Sequence, residues 1–234
     1  MIKTGDEHFM VDETVLEKIC GYADLKKTDY VFEVGAGTGN LTRLLSRGAG
    51  RVFAVEKNKE IFEEFQRNIG GCGNVMLLCA DATKIDFPDC NKVASNLPYS
   101  ISRRITRMFI EHGFESAVLV YQKEFSEKLV AKAGGDHYRM ITALVQSTCE
   151  IELLDDVSPE AFAPQPNVWS RIIRLRMKWK PPFEYVQLLN ELFNHKNKKI
   201  RNILKDAPSG YEDRKPCEMT PEELKLFYTA VAGR

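Results

Sequence analysis

Three glycines at alternate positions follow a short apolar segment near residue 30. The segment Tyr30–Val34 is predicted to be a strand, and it runs directly into Gly35, Gly37 and Gly39. Because glycine has no Cβ, the backbone can turn tightly at these positions and come close to a ligand. Enzymes that bind dinucleotides use a similar loop, so the glycines alone predict a nucleotide-like ligand without saying which one.

Acidic residues at the ends of three successive predicted strands narrow the choice of ligand. Glu33 lies at the end of the first strand, Glu56 ends the second, and Asp81 follows the third. A carboxylate at the position of Glu33 would repel a pyrophosphate, but it could face the ammonium or sulfonium charge of S-adenosylmethionine. Glu56 is placed to accept both ribose hydroxyls, and Asp81 with Ala82 to receive the adenine amine. The pattern therefore predicts S-adenosylmethionine rather than a nicotinamide dinucleotide.

The tetrad Asn96-Leu97-Pro98-Tyr99 ends the fourth predicted strand and suggests a second chemistry. The exocyclic amine of adenine is a poor nucleophile because its lone pair is delocalised into the ring. The Asn96 side-chain carbonyl and the backbone carbonyl of Leu97 or Pro98 could accept its two N–H bonds, which would turn the lone pair towards a methyl donor. Pro98 fixes the local backbone, and Tyr99 offers a ring on which a base can stack. The alternative is a proline-containing turn that begins a helix near Ser100.

A second aromatic candidate lies on a stiff loop further along the chain. Phe162 begins a segment that contains two prolines and ends at Ser170. An aromatic ring held on such a loop could close the other face of a base extruded into the site. We therefore predict that Phe162 belongs to the catalytic site, with packing in the core as the alternative.

Strand-like and helix-like segments alternate through most of the chain. Amphipathic stretches such as Lys59–Asn68 and Ile105–His112 lie between short apolar runs. Such alternation predicts an α/β fold in which a mostly parallel sheet carries helices on both faces. The predicted strands are Tyr30–Val34, Arg51–Glu56, Val75–Leu78, Val93–Asn96, Ala117–Tyr121, Glu150–Asp155 and Arg171–Met177.

Two consecutive prolines follow the last predicted strand, and the sequence beyond them reads as helical. Phe183–Asn194 has apolar residues at helical spacing, and Pro221–Ala232 follows a threonine, which is typical of a helix N-terminus. We predict a methyltransferase domain over residues 1–179 and a small helical appendage over residues 180–234.

The composition restricts the class of protein. The 234 residues are 44% hydrophobic and 28% charged with a net charge of zero, which is typical of a globular chain and argues against binding nucleic acid by charge alone. No apolar run approaches the roughly 20 residues that cross a bilayer, and the N-terminus lacks a signal-peptide pattern. We therefore expect a cytoplasmic monomer without membrane contact. The six cysteines form no C-x-x-C pair, so we expect reduced thiols and no metal site.

Together these residues resemble the ribosomal RNA adenine dimethyltransferase family, which includes the KsgA-type small-subunit enzymes and the Erm resistance methylases. The resemblance runs from about Asp6 to Asp206, and the Asn-Leu-Pro-Tyr form is similar to the KsgA type, with an archaeal look near the N-terminus. The motifs that carry the resemblance are His8–Asp12, Glu33–Thr42, Asn96–Tyr99, Gln122–Phe125 and Phe162–Ser170, with a looser match over Phe193–Leu204.

The resemblance implies a seven-stranded, Rossmann-like methyltransferase domain followed by a helical C-terminal domain. It implies that the substrate is a pair of adjacent adenosines in a hairpin near the 3′ end of small-subunit rRNA, each dimethylated, within a pre-small-subunit particle. The cofactor contacts that it implies fall on His8, Met10, Gly35, Glu56, Asp81 and Asn96.

This chain departs from the family pattern at three places. The family usually has Gln where Glu7 stands, a Ser/Thr-Pro pair where Arg103 and Arg104 stand, and Asp where Trp169 stands. The appendage is also shorter than is typical. These differences bear on the affinity and specificity for RNA.

One segment of the chain is locally basic in spite of the overall balance. Between His195 and Lys205 there are five cations and no acid. A helix there would bring Lys198, Arg201 and Lys205 to one face, because they are three and four residues apart. We predict that this segment binds RNA, with an ordinary solvated surface as the alternative. The predicted RNA-binding residues are Lys196, Lys198, Lys199, Arg201 and Lys205.

Other functions stay open on the sequence alone. An adenine-amine methylase of large-subunit rRNA or DNA would share the chemistry and differ only in substrate. A ribosome-assembly factor would bind pre-ribosomal RNA with little catalysis. A nicotinamide oxidoreductase is the remaining alternative, and the tetrad argues against it.

Overall fold

The computed structural model describes residues 8–233, so Glu7 lies outside the described residues. Each predicted strand is found, no more than two residues longer at either end. The strands are β1 (Phe9–Met10), β2 (Tyr30–Val34), β3 (Arg51–Glu56), β4 (Val75–Cys79), β5 (Lys92–Asn96), β6 (Ser116–Gln122), β7 (Cys149–Val157), β8 (Phe162–Ala163) and β9 (Ser170–Met177). The helices are α1 (Glu13–Ala23), α2 (Asn40–Gly48), α3 (Lys59–Asn68), α4 (Ser102–His112), α5 (Lys123–Leu129), α6 (Met140–Thr148), α7 (Phe183–Asn194) and α8 (Pro221–Ala232).

Seven of the strands form one mixed sheet in the order β4-β3-β2-β5-β6-β9-β7. The pairs from β4 to β6 are parallel, whereas β9 runs antiparallel to β6 and pairs Ser170 with Gln122. The short strands β1 and β8 pair separately and antiparallel, with Met10 opposite Phe162. The predicted α/β fold, a mostly parallel Rossmann-like sheet, is therefore confirmed.

Helices cover both faces of this sheet, as the strand-helix alternation predicts. On one face, α1 and α2 pack against Val31 and Val52, and α3 buries Phe65 against Ala54. On the other face, the Phe109 ring of α4 lies edge-on to Phe32, with 6.2 Å between ring centroids. Strands buried on both sides read as continuous apolar runs, which is why the sequence shows them so clearly.

Side-chain caps fix where several helices begin. The Asp12 carboxylate accepts the Thr14 N–H at 2.9 Å at the start of α1. The side-chain oxygen of Asn58 accepts the Glu60 N–H at 3.0 Å at the start of α3. The predicted N-terminus of α8 is a capping box, in which Thr220 and Glu223 bond each other's backbone N–H.

Contacts between residues divide the chain into two units. The first comprises Met1–Ser126 and Glu152–Arg176, and the second comprises Glu127–Ile151 and Met177–Arg234. Residues 127–151 fall within the predicted methyltransferase domain, but α6 packs on α7 and α8 and so groups with the C-terminal segment. The boundary after residue 179 stays a prediction for the functional division of the chain.

The second unit has its own buried contacts. The Tyr138 hydroxyl donates to the Met219 carbonyl at 3.0 Å, and both residues are fully buried. Arg214 forms a two-point ion pair with the Glu223 carboxylate at 2.9 and 3.1 Å. Among residues 8–233 no helix combines the length and the apolar character that crossing a membrane requires.

Candidate cofactor and adenine site

A cavity of about 630 Å³ is lined by residues at the carboxyl ends of β2, β3 and β5 and by residues that follow β4. It brings together most of the predicted site residues, although the tetrad and the glycines lie about sixty residues apart in the chain. The predicted residues that line it are His8, Met10, Glu33, Gly35, Gly37, Glu56, Asp81, Ala82, Asn96, Leu97, Pro98 and Tyr99.

All three glycines are constrained by close packing, and a Cβ on Gly37, which has a φ of 57°, would lie 2.8 Å from the Phe9 ring. Gly35 has a φ of 72°, and a Cβ there would lie 3.0 Å from Cδ of Pro98. Gly39 has a φ of 90°, and a Cβ there would lie 2.4 Å from the Phe65 ring of α3. Gly39 is not among the residues that line the cavity. Its role is therefore to let α2 and α3 approach, whereas Gly35 joins the glycine loop to the tetrad.

Backbone hydrogen bonds hold the Glu56 carboxylate in place. One oxygen accepts the Gly37 N–H at 2.9 Å, the other accepts the Asn58 N–H at 2.8 Å, and the residue is 6% exposed. A carboxylate has about four acceptor positions. Both oxygens therefore keep a free position for hydroxyl donors, which fits the predicted contact with a ribose.

One oxygen of the Asp81 carboxylate is already hydrogen-bonded within the protein. Its Oδ1 accepts the backbone N–H of Thr83 at 3.0 Å and the Thr83 hydroxyl at 2.8 Å. Its Oδ2 lies 3.5 Å from the Lys57 ammonium and 3.9 Å from that of Lys84. The hydrogen bonds from Thr83 and the two ammonium groups hold the pKa of Asp81 below its ordinary value. The carboxylate is thus an ionised acceptor, and Oδ2 is the oxygen available to an amine.

Glu33 is a buried acid at the inner end of the cavity. It is 1% exposed, and Oε2 accepts the Thr42 hydroxyl at 2.5 Å. Burial raises the pKa of Glu33 to about 8; the Thr42 hydrogen bond opposes this and the charge of Glu56 adds to it. No lysine or arginine of residues 8–233 forms an ion pair with Glu33. A buried carboxyl without a cation favours a positively charged ligand, as predicted.

Asn96 presents an oxygen to the cavity with its amide fixed from the other side. Its Nδ2 donates to the His8 carbonyl at 3.0 Å. Its Oδ1 is buried and has no hydrogen-bond partner among residues 8–233. An unsatisfied buried acceptor costs free energy, on the order of 1–3 kcal/mol, so such an atom indicates a donor that arrives with a ligand.

The rest of the tetrad turns the chain from β5 into α4. Leu97 is buried, and the Pro98 carbonyl accepts the Ile101 N–H at 3.2 Å within a 3₁₀ turn. The Tyr99 hydroxyl lies 2.6 Å from the Ser170 hydroxyl, and its ring lies 5.6 Å from the His8 ring. The predicted turn before a helix and the predicted cavity wall are thus the same segment.

Phe162 is buried beside the N-terminal strand of the site. It is 2% exposed and belongs to the same buried cluster as Met10, opposite which it pairs in the β1–β8 ladder. It is not among the residues that line the cavity. The structure therefore shows the alternative of packing in the core, and the catalytic role of Phe162 stays a prediction.

Two charged residues that line the cavity were not predicted as site residues. Arg104 lines the cavity from the first turn of α4, and its guanidinium donates to the Thr83 carbonyl at 2.9 Å. Lys57 lines it next to Glu56. Arg104 directly follows the tetrad in a position that departs from the family pattern, and that departure is the signal that could have identified it.

The predicted RNA-binding segment does not form the expected helix. Helix α7 ends at Asn194, and only a 3₁₀ turn, Ile200–Asn202, follows within the segment. Lys199 and Arg201 both reach the Asp213 carboxylate, at 2.8 and 3.0 Å. The prediction of one helical face was wrong, because Ile200 is buried and holds the chain in turns. Lys198, Arg201 and Lys205 are exposed, so the RNA-binding role stays a prediction.

Comparisons with known proteins identify the family of this chain. The family described as ribosomal RNA adenine dimethylase matches residues 3–218. A probable ribosomal RNA small subunit methyltransferase A of Methanopyrus kandleri is 38% identical, over 93% of this chain and 81% of that protein. The structure of a dimethyladenosine transferase from Plasmodium falciparum superposes with a TM-score of 0.83 at 25% identity, covering 97% of this chain and 98% of the other. The 23S rRNA methyltransferase ErmE shares the fold, with a TM-score of 0.69 at 23% identity over 96% of this chain and 99% of its own.

Proposed function

The chain belongs to the ribosomal RNA adenine dimethylase family, and from this premise we propose that it dimethylates two adjacent adenosines of small-subunit rRNA at their N6 amines. Membership makes the chain an enzyme that methylates rRNA with S-adenosylmethionine as the methyl donor. The name of the Methanopyrus kandleri relative supports the small subunit as the source of the RNA. The proposal includes a hairpin near the 3′ end as the target, a pre-small-subunit particle as the partner, and action as a cytoplasmic monomer.

The observation that carries this proposal is the unpartnered Oδ1 of Asn96. Its amide cannot rotate without losing the bond from Nδ2 to the His8 carbonyl, so Oδ1 stays buried and unpartnered in a residue that lines the cavity. The target amine would donate one N–H to this oxygen. For the second N–H we favour the carbonyl of Leu97, because that of Pro98 already accepts the Ile101 N–H. Two accepted hydrogens leave the nitrogen lone pair pointing away from both carbonyls, towards the methyl donor.

The cavity suits S-adenosylmethionine in its charges as well as its hydrogen bonds. Glu56 would accept the hydrogen bonds of the ribose hydroxyls, and Asp81 would accept that of the adenine amine. A cationic group of the cofactor near Glu33 would lower the free-energy cost of ionising this buried carboxyl. When bound, this cofactor supplies a methyl group on a positively charged sulfur. Residues 8–10 would form the part of the cofactor site that comes from the N-terminal segment. The side-chain amides of Asn40 and Asn96 hold this segment in place by donating to the carbonyls of Met10 and His8.

The remaining residues position the target base. Tyr99 would stack on the adenine, and its bonds to Ser170 keep its ring at the cavity wall. We assign no general base, because the methylated amine becomes acidic and can release its proton to water. Rate acceleration then comes from orientation and from the two carbonyls, and well-oriented groups reach effective molarities of about 10⁵ M or more.

The rival functions make different predictions about the substrate. An enzyme of large-subunit rRNA or DNA would use the same cavity, and an assembly factor would bind RNA with little turnover. Mass mapping of ribosomal RNA from cells with and without the gene separates them. We expect two neighbouring N6,N6-dimethyladenosines of the small subunit to disappear on deletion. Loss of methylation in the large subunit or in DNA alone would contradict the proposal, as would no change at all.

A further inference from the structure

An exposed tryptophan directly precedes Ser170, whose hydroxyl bonds that of the cavity residue Tyr99. Trp169 is 51% exposed, and its neighbour Val168 is 43% exposed, just before β9 begins. A single exposed apolar side chain is common and by itself means little. A half-exposed indole whose backbone neighbour bonds a cavity residue is different, because it keeps a large aromatic face in contact with water close to where a ligand must pass.

The backbone at this position is fixed. The Trp169 carbonyl accepts the Lys123 N–H at 2.9 Å, at the first residue of α5. The next residue, Ser170, pairs with Gln122 and places its hydroxyl 2.6 Å from that of Tyr99. Successive Cα atoms are about 3.8 Å apart, so the tryptophan side chain begins one residue away from the group that touches Tyr99.

The surroundings of Tyr99 favour a nucleic acid over another occupant. Arg103 and Arg104 are both exposed and lie in the first turn of α4, immediately after the 3₁₀ turn that contains Tyr99. Arg104 uses one N–H on the Thr83 carbonyl, and a guanidinium has five such donors. Cations and an aromatic ring next to one cavity match the phosphates and bases of single-stranded RNA.

We propose that Trp169 stacks on the unpaired base next to the adenosine that enters the cavity, and that it thereby selects the nucleotides flanking the target. This inference rests on the proposed function. A base that leaves a stack exposes a face of its neighbour, and a protein aromatic can replace the lost partner. Trp169 is thus a substrate-binding residue that acts outside the cavity.

Fluorescence can observe this contact directly, because the chain has only two tryptophans. The variant Trp179→Phe leaves Trp169 as the sole indole and keeps an aromatic ring beside Tyr185. The probe is a hairpin oligoribonucleotide with two adjacent adenosines in its loop. We expect this hairpin to change the Trp169 emission, and a hairpin with abasic sites on both sides of the adenosine pair to change it much less.

Kinetics provide the second measurement. Trp169→Ala should raise the KM for the hairpin about tenfold, in the range expected for the loss of one base stack. The KM for S-adenosylmethionine should not change. Trp169→Phe keeps an aromatic ring, so its KM for the hairpin should stay close to that of the wild type. Phe183→Ala removes another exposed aromatic, 67% exposed in the second unit, and is the matched control that should change neither value.

The outcomes separate this inference from the proposed function. If the wild type methylates the hairpin but Trp169→Ala has the same KM and the emission does not respond to RNA, the inference is wrong and the proposed function stands. An emission that responds to protein concentration instead of RNA would assign Trp169 to self-association and overturn the inference. A wild type that methylates no rRNA, hairpin or whole subunit, overturns both.

Discussion

The cavity and the basic segment around Lys198 differ in how firmly their side chains are held. In the cavity, backbone N–H groups fix Glu56, and the backbone carbonyl of His8 fixes Asn96. In the basic segment, the cations lie on turns, and two of them share the single carboxylate of Asp213. Side chains that follow buried strands have one position each, whereas surface cations can rearrange. We therefore expect single substitutions to act strongly in the cavity and only collective changes to act in the basic segment.

The largest effect is expected for Asn96. Asn96→Ala should lower the single-turnover rate of methyl transfer by about 100-fold or more, in the range for loss of one preorganised transition-state hydrogen bond. Cofactor affinity should change much less, because the Oδ1 of Asn96 acts on the amine.

Asn40 offers a matched control for this variant. Its amide donates to the Met10 carbonyl at 3.0 Å, as that of Asn96 does to the His8 carbonyl. Asn40→Ala therefore removes the same kind of anchor without removing the proposed acceptor. Equal losses of rate in the two variants would show that only anchoring of the N-terminal segment matters.

The next effect concerns the cofactor. Glu56→Ala should leave the fold intact and weaken binding of S-adenosylmethionine by about 1–3 kcal/mol, because a charged hydrogen-bond acceptor is lost. Calorimetric titration measures this directly. An affinity equal to that of the wild type would remove Glu56 from the cofactor site and leave its carboxylate as a brace for Gly37 and Asn58.

The buried acid predicts a pH dependence of stability. The pKa of Glu33 is raised to about 8 in the folded protein from 4.5, so its contribution to stability is complete below pH 4.5 and is lost as the pH rises towards 8. Glu33→Gln removes this loss. Without cofactor, the variant should exceed the wild type at pH 9 by a few kcal/mol in the free energy of unfolding, since each pKa unit is worth about 1.4 kcal/mol.

Urea unfolding at pH 4 and pH 9 tests this difference. At pH 4 the two proteins should be nearly equally stable, because Glu33 is then neutral in the folded state and mostly neutral in the unfolded state. Glu17→Gln, on the exposed side of α1, is the control and should follow the wild type. A pH-independent difference between Glu33→Gln and the wild type would refute the raised pKa.

The smallest effect per residue is expected in the basic segment. Replacing Lys198, Arg201 and Lys205 together with Gln should weaken RNA binding and lower the dependence of log affinity on log salt by about two units, since each lost phosphate contact lowers it by roughly 0.7–0.9. Affinity for the cofactor should not change. An unchanged salt dependence, together with a change in a variant of Arg103 and Arg104, would move the RNA site to the first turn of α4.

The same comparison explains what the sequence could predict. The strands and the cavity acids were predictable because apolar runs and the residues that end them are positioned by the register of one sheet. The burial of Phe162 was not predictable, because it follows from the long-range pairing of β1 with β8. The fold of the basic segment depends on the burial of Ile200 and on its backbone bond to the Arg214 carbonyl, which local spacing does not reveal. The grouping of α6 with the C-terminal helices likewise depends on long-range packing.

The central claim is that the cavity directs methyl transfer to the exocyclic amine of adenosine. The most direct measurement is nucleoside mass spectrometry of small-subunit rRNA after incubation with the purified protein and S-adenosylmethionine labelled with ¹³C in its methyl group. The account predicts that the label is found in N6-methylated and N6,N6-dimethylated adenosine and that Asn96→Ala nearly abolishes it. Label on a ring nitrogen, on ribose or on another base would contradict it.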